Sequence, residues 1–290
     1  DSQQFLVEQA RRINVKEAGT EAAAFLYDKI PYRDGQAAVF APDGPQKRFE
    51  VPDNPMLPSG DFTIEAFVLP RSVYESAAVR TIVSKWDGSM QSPGWGFGIT
   101  GKQSRRKPQT LVLQIIGRKL DGSFGEEAIF SDQHIQINKP YYVSAAVKLA
   151  KDGKPGTVTF RVKDLSNDDE PLLTAEVSHR ITGEFTNRLP LVLGGRPNSD
   201  AYFHGLIDDV RLSNATLDVN RLLYTAEGTN QNTVAYWQFE PKPDVFHDSA
   251  GHKLNIRPAS SNTREVDPRR AALEDFCHVL LNSSEFLYVD

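Results

Sequence analysis

Phe203-His204-Gly205-Leu206-Ile207-Asp208-Asp209-Val210-Arg211-Leu212-Ser213-Asn214-Ala215-Thr216-Leu217 is the stretch on which the reading of this chain turns. A glycine and an apolar pair precede two aspartates. Val-Arg-Leu follows, then a polar turn and a leucine. This pattern predicts a strand from Tyr202 to Leu212, closed by turn-forming residues.

Working outward, short runs with a period of two recur from Ala37 onward. Strands are expected at 37–40, 48–51, 62–69, 81–85, 95–100, 111–116, 127–131, 141–149, 157–164, 172–177 and 189–193, with Gly, Pro, Asn and Asp between them. In 157–163, Val158, Phe160 and Val162 point one way, and Thr157, Thr159, Arg161 and Lys163 the other. That is a strand with one wet face. In 62–69 both sets are largely apolar, so this strand is central or covered on both sides. Regular short strands of this kind predict an all-β antiparallel sandwich of jelly-roll type.

Apolar residues at helical spacing from Phe5 to Phe25 predict an N-terminal helix. A short helix is expected at 218–224 and a strand at 234–239. Pro268, followed by spaced apolar residues to Leu281, predicts a C-terminal helix. The expected organisation is a helical segment over 1–36, the sandwich over 37–257 and a helical tail over 258–290.

The 290 residues carry a formal charge of −5, with 39% hydrophobic, 24% charged and 10% aromatic residues. That is the composition of an ordinary globular domain with chain enough for a large core. The mildly acidic balance disfavours sequence-independent nucleic-acid binding, which needs a basic face. No apolar run is long enough to span a bilayer as a helix. The start has neither an initiator Met nor a signal-peptide pattern, so a fragment or processed product of a longer chain is expected. Cys277 is the single cysteine, so no internal disulfide forms.

Five further segments carry a family resemblance in order: Asp61 to Pro70, Thr81 to Asp87, Gly94 to Ile99, Lys139 to Val147 and Leu191 to Arg196. Together with 203–217 they resemble the laminin-G-like, concanavalin A-like lectin and glucanase superfamily over roughly residues 37 to 224. Two features depart from its pattern. The segment Arg161 to Glu170 is a longer, acidic connection, and the 141–149 strand lacks the usual histidine. Val234 to Glu240 with Asp248 to His252 resembles an edge element of such domains. The tail 272–287 is similar to the last helix of large exported proteins of planctomycete type. The resemblance therefore implies a module of an extracellular or periplasmic bacterial protein.

The same resemblance implies a structural calcium ion at Asp208, with Asp209 beside it. Calcium takes six to eight oxygen ligands, and the segments at Asp43-Gly44 and Asp248 to Gly251 are candidate suppliers. The alternative is a strand-end aspartate that accepts hydrogen bonds from a neighbouring loop. Trp86 and Tyr202 are the leading sugar-stacking candidates, ahead of Tyr74, Trp95 and Tyr142, since a pyranose offers an apolar C–H face. Against this, aromatics in strands are more often core. Arg161 is the candidate polar contact to a ligand.

The superfamily's catalytic Glu-x-Asp-x-x-Glu pattern is absent, and Glu126-Glu127 would point to opposite faces of a strand. The six histidines show no zinc-binding spacing. The glycines of Gly94-Trp95-Gly96-Phe97-Gly98 are read as relieving crowding against the facing sheet, and Arg105-Arg106-Lys107 as a solvated hairpin tip. The expected function is non-catalytic recognition of a polysaccharide or glycan. The alternatives are a structural module that contacts neighbouring domains, and a hydrolase or lyase of the same fold.

Overall fold

The computed structural model describes residues 11–15, 23–183, 185 and 187–259. In chain order the strands are β1 (Arg11–Val15), β2 (Ala23–Asp28), β3 (Ala37–Phe40), β4 (Phe49–Val51), β5 (Phe62–Pro70) and β6 (Val79–Ser84). Next come β7 (Gly94–Thr100), β8 (Thr110–Lys119), β9 (Phe124–His134), β10 (Tyr141–Lys148), β11 (Gly156–Asp164) and β12 (Leu173–His179). The last five are β13 (Ile181–Gly183), β14 (Leu191–Leu193), β15 (Gly205–Ser213), β16 (Thr233–Trp237) and β17 (Arg257–Pro258). The 218–224 segment contains a single 3-10 turn, Val219–Arg221.

Two antiparallel sheets result. The first runs β1-β2-β3-β15-β5-β10-β11-β12, with β16 also on β15. The second runs β13-β8-β7-β6-β14-β4-β17, with β9 also on β8. The all-β sandwich expected from the alternation is therefore the fold.

The N-terminal helix is not formed where the chain is described. Residues 11–15 and 23–28 pair as strands, and β2 continues the first sheet onto β3 through Tyr27↔Ala38 and Asp28↔Ala37. Phe25 enters the inter-sheet core, while Leu26 joins a different cluster on the other face. That is two-sided strand burial, which an apolar run does not distinguish from a buried helix. The sheet thus begins earlier than residue 37. The expected C-terminal helix lies outside the described residues.

The core sits between the sheets. Phe62, Ile64, Ala66 and Val68 of β5 meet Trp95, Phe97 and Ile99 of β7 there. Phe62 and Trp95 stack at 4.7 Å. A second apolar cluster lies on the outer face of the first sheet. Phe67, Leu69, Tyr142 and Leu206 are covered by Leu217, Leu222 and Leu223 of a coil strap after β15. β5 is buried at every residue because it has a core on each side, as its two apolar sets predict.

The strap is fastened by one buried ion pair. Glu65 and Arg211 are 0% and 1% exposed. Glu65 Oε2 accepts from Arg211 Nε at 2.8 Å, and Oε1 accepts from Tyr142 Oη and Leu223 N, both at 2.7 Å. Arg211 also donates to the carbonyls of Arg221 at 2.7 Å and Gly228 at 2.6 Å. Burying such a pair is tolerable because its polar atoms are satisfied.

Candidate functional site

The paired aspartates owe their placement to a bulge in β15. Asp208 lies opposite Phe67 and Arg211 opposite Glu65, so β15 uses three residues where β5 uses two. Asp209 is the extra residue, with φ of 47°, a left-handed conformation that Asp tolerates better than most residues. The bulge turns both carboxylates toward Arg33. That guanidinium bonds Asp209 Oδ2, lies 3.5 Å from Asp208 Oδ2, and sits 3.5 Å above the Phe67 ring. Tyr236 Oη donates to Asp209 Oδ1 at 2.8 Å. Burial raises the pKa of both carboxyls. Asp209 adds to the rise at Asp208, while Arg33 pulls both back.

The cation facing the pair is the protein's own Arg33. Among the described residues no group of three or more His, Cys, Asp or Glu is placed to hold a metal. The Asp248 carboxylate is engaged by backbone. Its oxygens accept from the backbone N–H groups of Tyr236, Ala250, His252 and Leu254.

Trp86 is 2% exposed, so it has no open face for a sugar. Its Nε1 donates to Ser89 O at 2.7 Å, and the Arg196 guanidinium lies 4.8 Å over its ring. Tyr202 is half-buried, with Lys47 and Arg48 each 5.7 Å from its ring centroid. Trp95 and Tyr142 belong to the two apolar clusters. Tyr74 is covered by Arg80 at 3.8 Å, and burial raises its hydroxyl pKa. Arg161 projects from the outer face of the first sheet and is 8% exposed. The structure therefore does not gather Trp86, Tyr202 and Arg161 into one site.

What it does gather lies on the outer face of the second sheet. Trp95, Phe97 and Ile99 of β7 point into the core, so Gly94, Gly96 and Gly98 point out. A Cβ on Gly98 would collide with the Arg80 carbonyl, and one on Gly94 with the Lys85 carbonyl. The crowding thus comes from the neighbouring chain in the same sheet, where β6 is bulged between Thr81 and Val83, and not from the facing sheet. At Gly96 a Cβ would make only ordinary contact with Arg196, its Nε 3.7 Å away.

Arg196 reaches this face from the turn after β14. Its backbone is held by Arg48 Nη1 donating to Arg196 O at 2.6 Å. Its Nε donates to Thr81 Oγ1 at 3.1 Å, and Nη2 donates to Gln114 Oε1. Gln114 Nε2 in turn donates to Glu126 Oε1 at 2.7 Å. Thr81, Arg196, Gln114 and Glu126 form a polar row across the sheet. Burial lowers the Arg196 pKa, and Glu126 partly offsets this.

The hydrogen bonds of this row use Arg196 Nε and Nη2, the Gln114 amide and Glu126 Oε1. Beside it is a cavity of about 470 Å³, lined by Gln114, the apolar side chains of Val79, Val112, Ala128 and Phe130, and the 103–106 hairpin. Arg105 and Arg106, expected only at a solvated tip, line this cavity.

Neither Arg196 nor Gln114 stands out in the sequence as a ligand residue. The available signal was the alternation of glycine with bulky residues in 94–99. It marks a strand whose outer face carries no side chains.

A second polar cluster is more enclosed. Ser72 Oγ lies 2.7 Å from His204 Nδ1, and Arg80 Nη2 donates to the same hydroxyl at 3.1 Å. Burial, with help from Arg80 and Arg71, lowers the His204 pKa to about 4. The folded state therefore holds a neutral imidazole where the unfolded chain takes up a proton. Stability is expected to be full above pH 6.5 and to fall as pH drops toward about 4. The loss is on the order of 2–3 kcal/mol. The difference between wild type and His204→Gln in urea melts at pH 7 and pH 4 measures it. Equal pH slopes would refute it.

No protein-family model matches the chain, and no curated protein matches it. Among solved structures, it is similar to a candidate carbohydrate-binding protein from Bacteroides ovatus. The identity is 17%, the TM-score 0.47, and the coverage 78% of this chain and 57% of that one. It is similar to the CBM40 module of Ruminococcus gnavus IT-sialidase at 16% identity and a TM-score of 0.37, over 57% of this chain and 82% of that one. The enzymatically active domain of tailspike protein 2 from bacteriophage CBA120 matches at 11% identity and a TM-score of 0.44, over 80% of this chain. This chain spans 32% of that tailspike chain.

Proposed function

We propose that the chain is a non-catalytic carbohydrate-binding module that takes a glycan on the outer face of the second sheet. The observation carrying this reading is the pre-aligned polar row Thr81–Arg196–Gln114–Glu126 beside an apolar-walled cavity. Sugar recognition needs a few fixed polar groups for hydroxyls and an apolar surface for the C–H face. Phe130, half-buried on β9, supplies aromatic surface in that cavity.

A glycan array followed by calorimetry tests the reading. Gln114→Ala should weaken the best glycan about tenfold or more, the loss of roughly 1.4 kcal/mol that one or two hydrogen bonds supply. Its melting temperature should stay near that of wild type. Array silence, or equal affinity of the variant, would overturn the proposal. The strap over the outer face of the first sheet favours the second reading, a structural module. Array silence would support that alternative.

A further inference from the structure

The geometry points to a separate anion site at Arg161, on the outer face of the first sheet, that takes the carboxylate of an acidic sugar. Arg161 is more than nine-tenths buried, yet its Nε and Nη1 are enclosed with no hydrogen-bond partner. Among the described residues its guanidinium makes no ion pair and no hydrogen bond at all. A guanidinium is permanently charged and shaped for a carboxylate. Enclosing its edge without a partner is costly. Arg211, on the same face, shows the usual solution with Glu65. Among the described residues Arg161 has no such counterpart.

Lys163, two residues along β11 and 5% exposed, strengthens the positive character. Its Nζ donates to the carbonyls of Asp164 and Asn167, with no carboxylate in reach among the described residues.

The position is open on one side. Tyr142, opposite Lys163, packs on Tyr224 of the strap at 5.5 Å. Thr159, the next outward residue beyond Arg161, is half-buried, and its partner Glu176 is exposed. The surface beyond carries the hydroxyls of Thr157, Thr159, Thr174 and Ser178, with no large apolar side chain exposed on β11 or β12. Hydroxyls around a cation suit a hydroxylated anion. An acidic peptide would want an apolar anchor as well. Glu176 is the nearby acid that competes for the site without forming an ion pair.

The test uses tri-galacturonate, its fully methyl-esterified counterpart and a hexaglutamate peptide as probes. Calorimetry is combined with NMR of the arginine Nε–H groups in the wild-type chain. Tri-galacturonate should bind about tenfold or more tighter than the ester, as expected for a charge-assisted contact, and should shift the Arg161 Nε–H signal. Arg161→Lys should lose most of that preference, and Glu176→Gln should strengthen it. Gln114→Ala should leave it unchanged, so failure of the second-sheet site and failure here are separable. The wild-type Nε–H signal decides the matter even if Arg161→Lys folds poorly. Equal binding of acid and ester, an unmoved Arg161 signal, no binding of tri-galacturonate, or tighter binding of hexaglutamate would each overturn the assignment.

Discussion

Glu65→Ala should lower the unfolding free energy by about 3–5 kcal/mol, the usual cost of leaving one member of a buried ion pair behind. For a domain of this size that is roughly 10 °C in melting temperature. The effect is large because three donors lose one acceptor group. Arg211 remains 1% exposed with its charge unmatched, and Tyr142 Oη and Leu223 N lose their partner as well. Replacing both members, as Glu65→Leu with Arg211→Met, should recover part of the loss, since an apolar pair often substitutes for a buried ionic one. Recovery should stop short of wild type. Arg211 also holds the carbonyls of Arg221 and Gly228, which an apolar residue cannot do. Urea melts of the two singles and the double give the coupling. A loss below about 1 kcal/mol for Glu65→Ala would contradict the role of this pair, because that is the scale of one ordinary hydrogen bond.

Arg33→Ala is expected to have an effect of similar size, but one that depends on pH. It removes the cation facing Asp208 and Asp209, which are 3% and 7% exposed. In the wild type, burial already holds both carboxyls above the ordinary value of 3.8, with Arg33 acting against the rise. Without Arg33 both rise further. The folded state then binds more protons than the unfolded chain, so stability falls as pH increases through the raised range. The variant should be near wild type at pH 4 and worse by about 3–5 kcal/mol at pH 7, the cost of uncompensated buried charge. Adding Asp209→Asn should restore much of the neutral-pH loss. Melts of wild type and both variants at pH 4, 5.5 and 7 check this. A deficit independent of pH would show that Arg33 acts through its packing on Phe67 alone.

The strands were the legible part. β11 alternates strictly, and β5 and β15 carry apolar residues on both faces for the reason the structure shows, a core on each side. The first strands were misread because an apolar run buried on two faces has no period that separates strand from helix. The site was harder to read. Thr81, Arg196, Gln114 and Glu126 come from four separate segments, and only sheet order makes them neighbours. Trp86 and Tyr202 looked like platforms because residue type says nothing of what lies on a ring. Arg196 lies on the first, and Lys47 and Arg48 flank the second. The sequence reading placed a calcium ion at Asp208; in the structure the cation facing it is Arg33, which is 175 residues away in sequence.

The strand order of the first sheet also has a consequence for synthesis. β15 fills the gap between β3 and β5. Those two strands emerge from the ribosome well before residue 205, and until β15 follows they border an empty slot. Each then shows unpaired N–H and C=O groups along an edge that is interior in the finished molecule. Such edges are templates for pairing with other chains. Between the making of β5 and that of β15, edges open to pairing with other chains therefore lie at what will become the middle of the sheet.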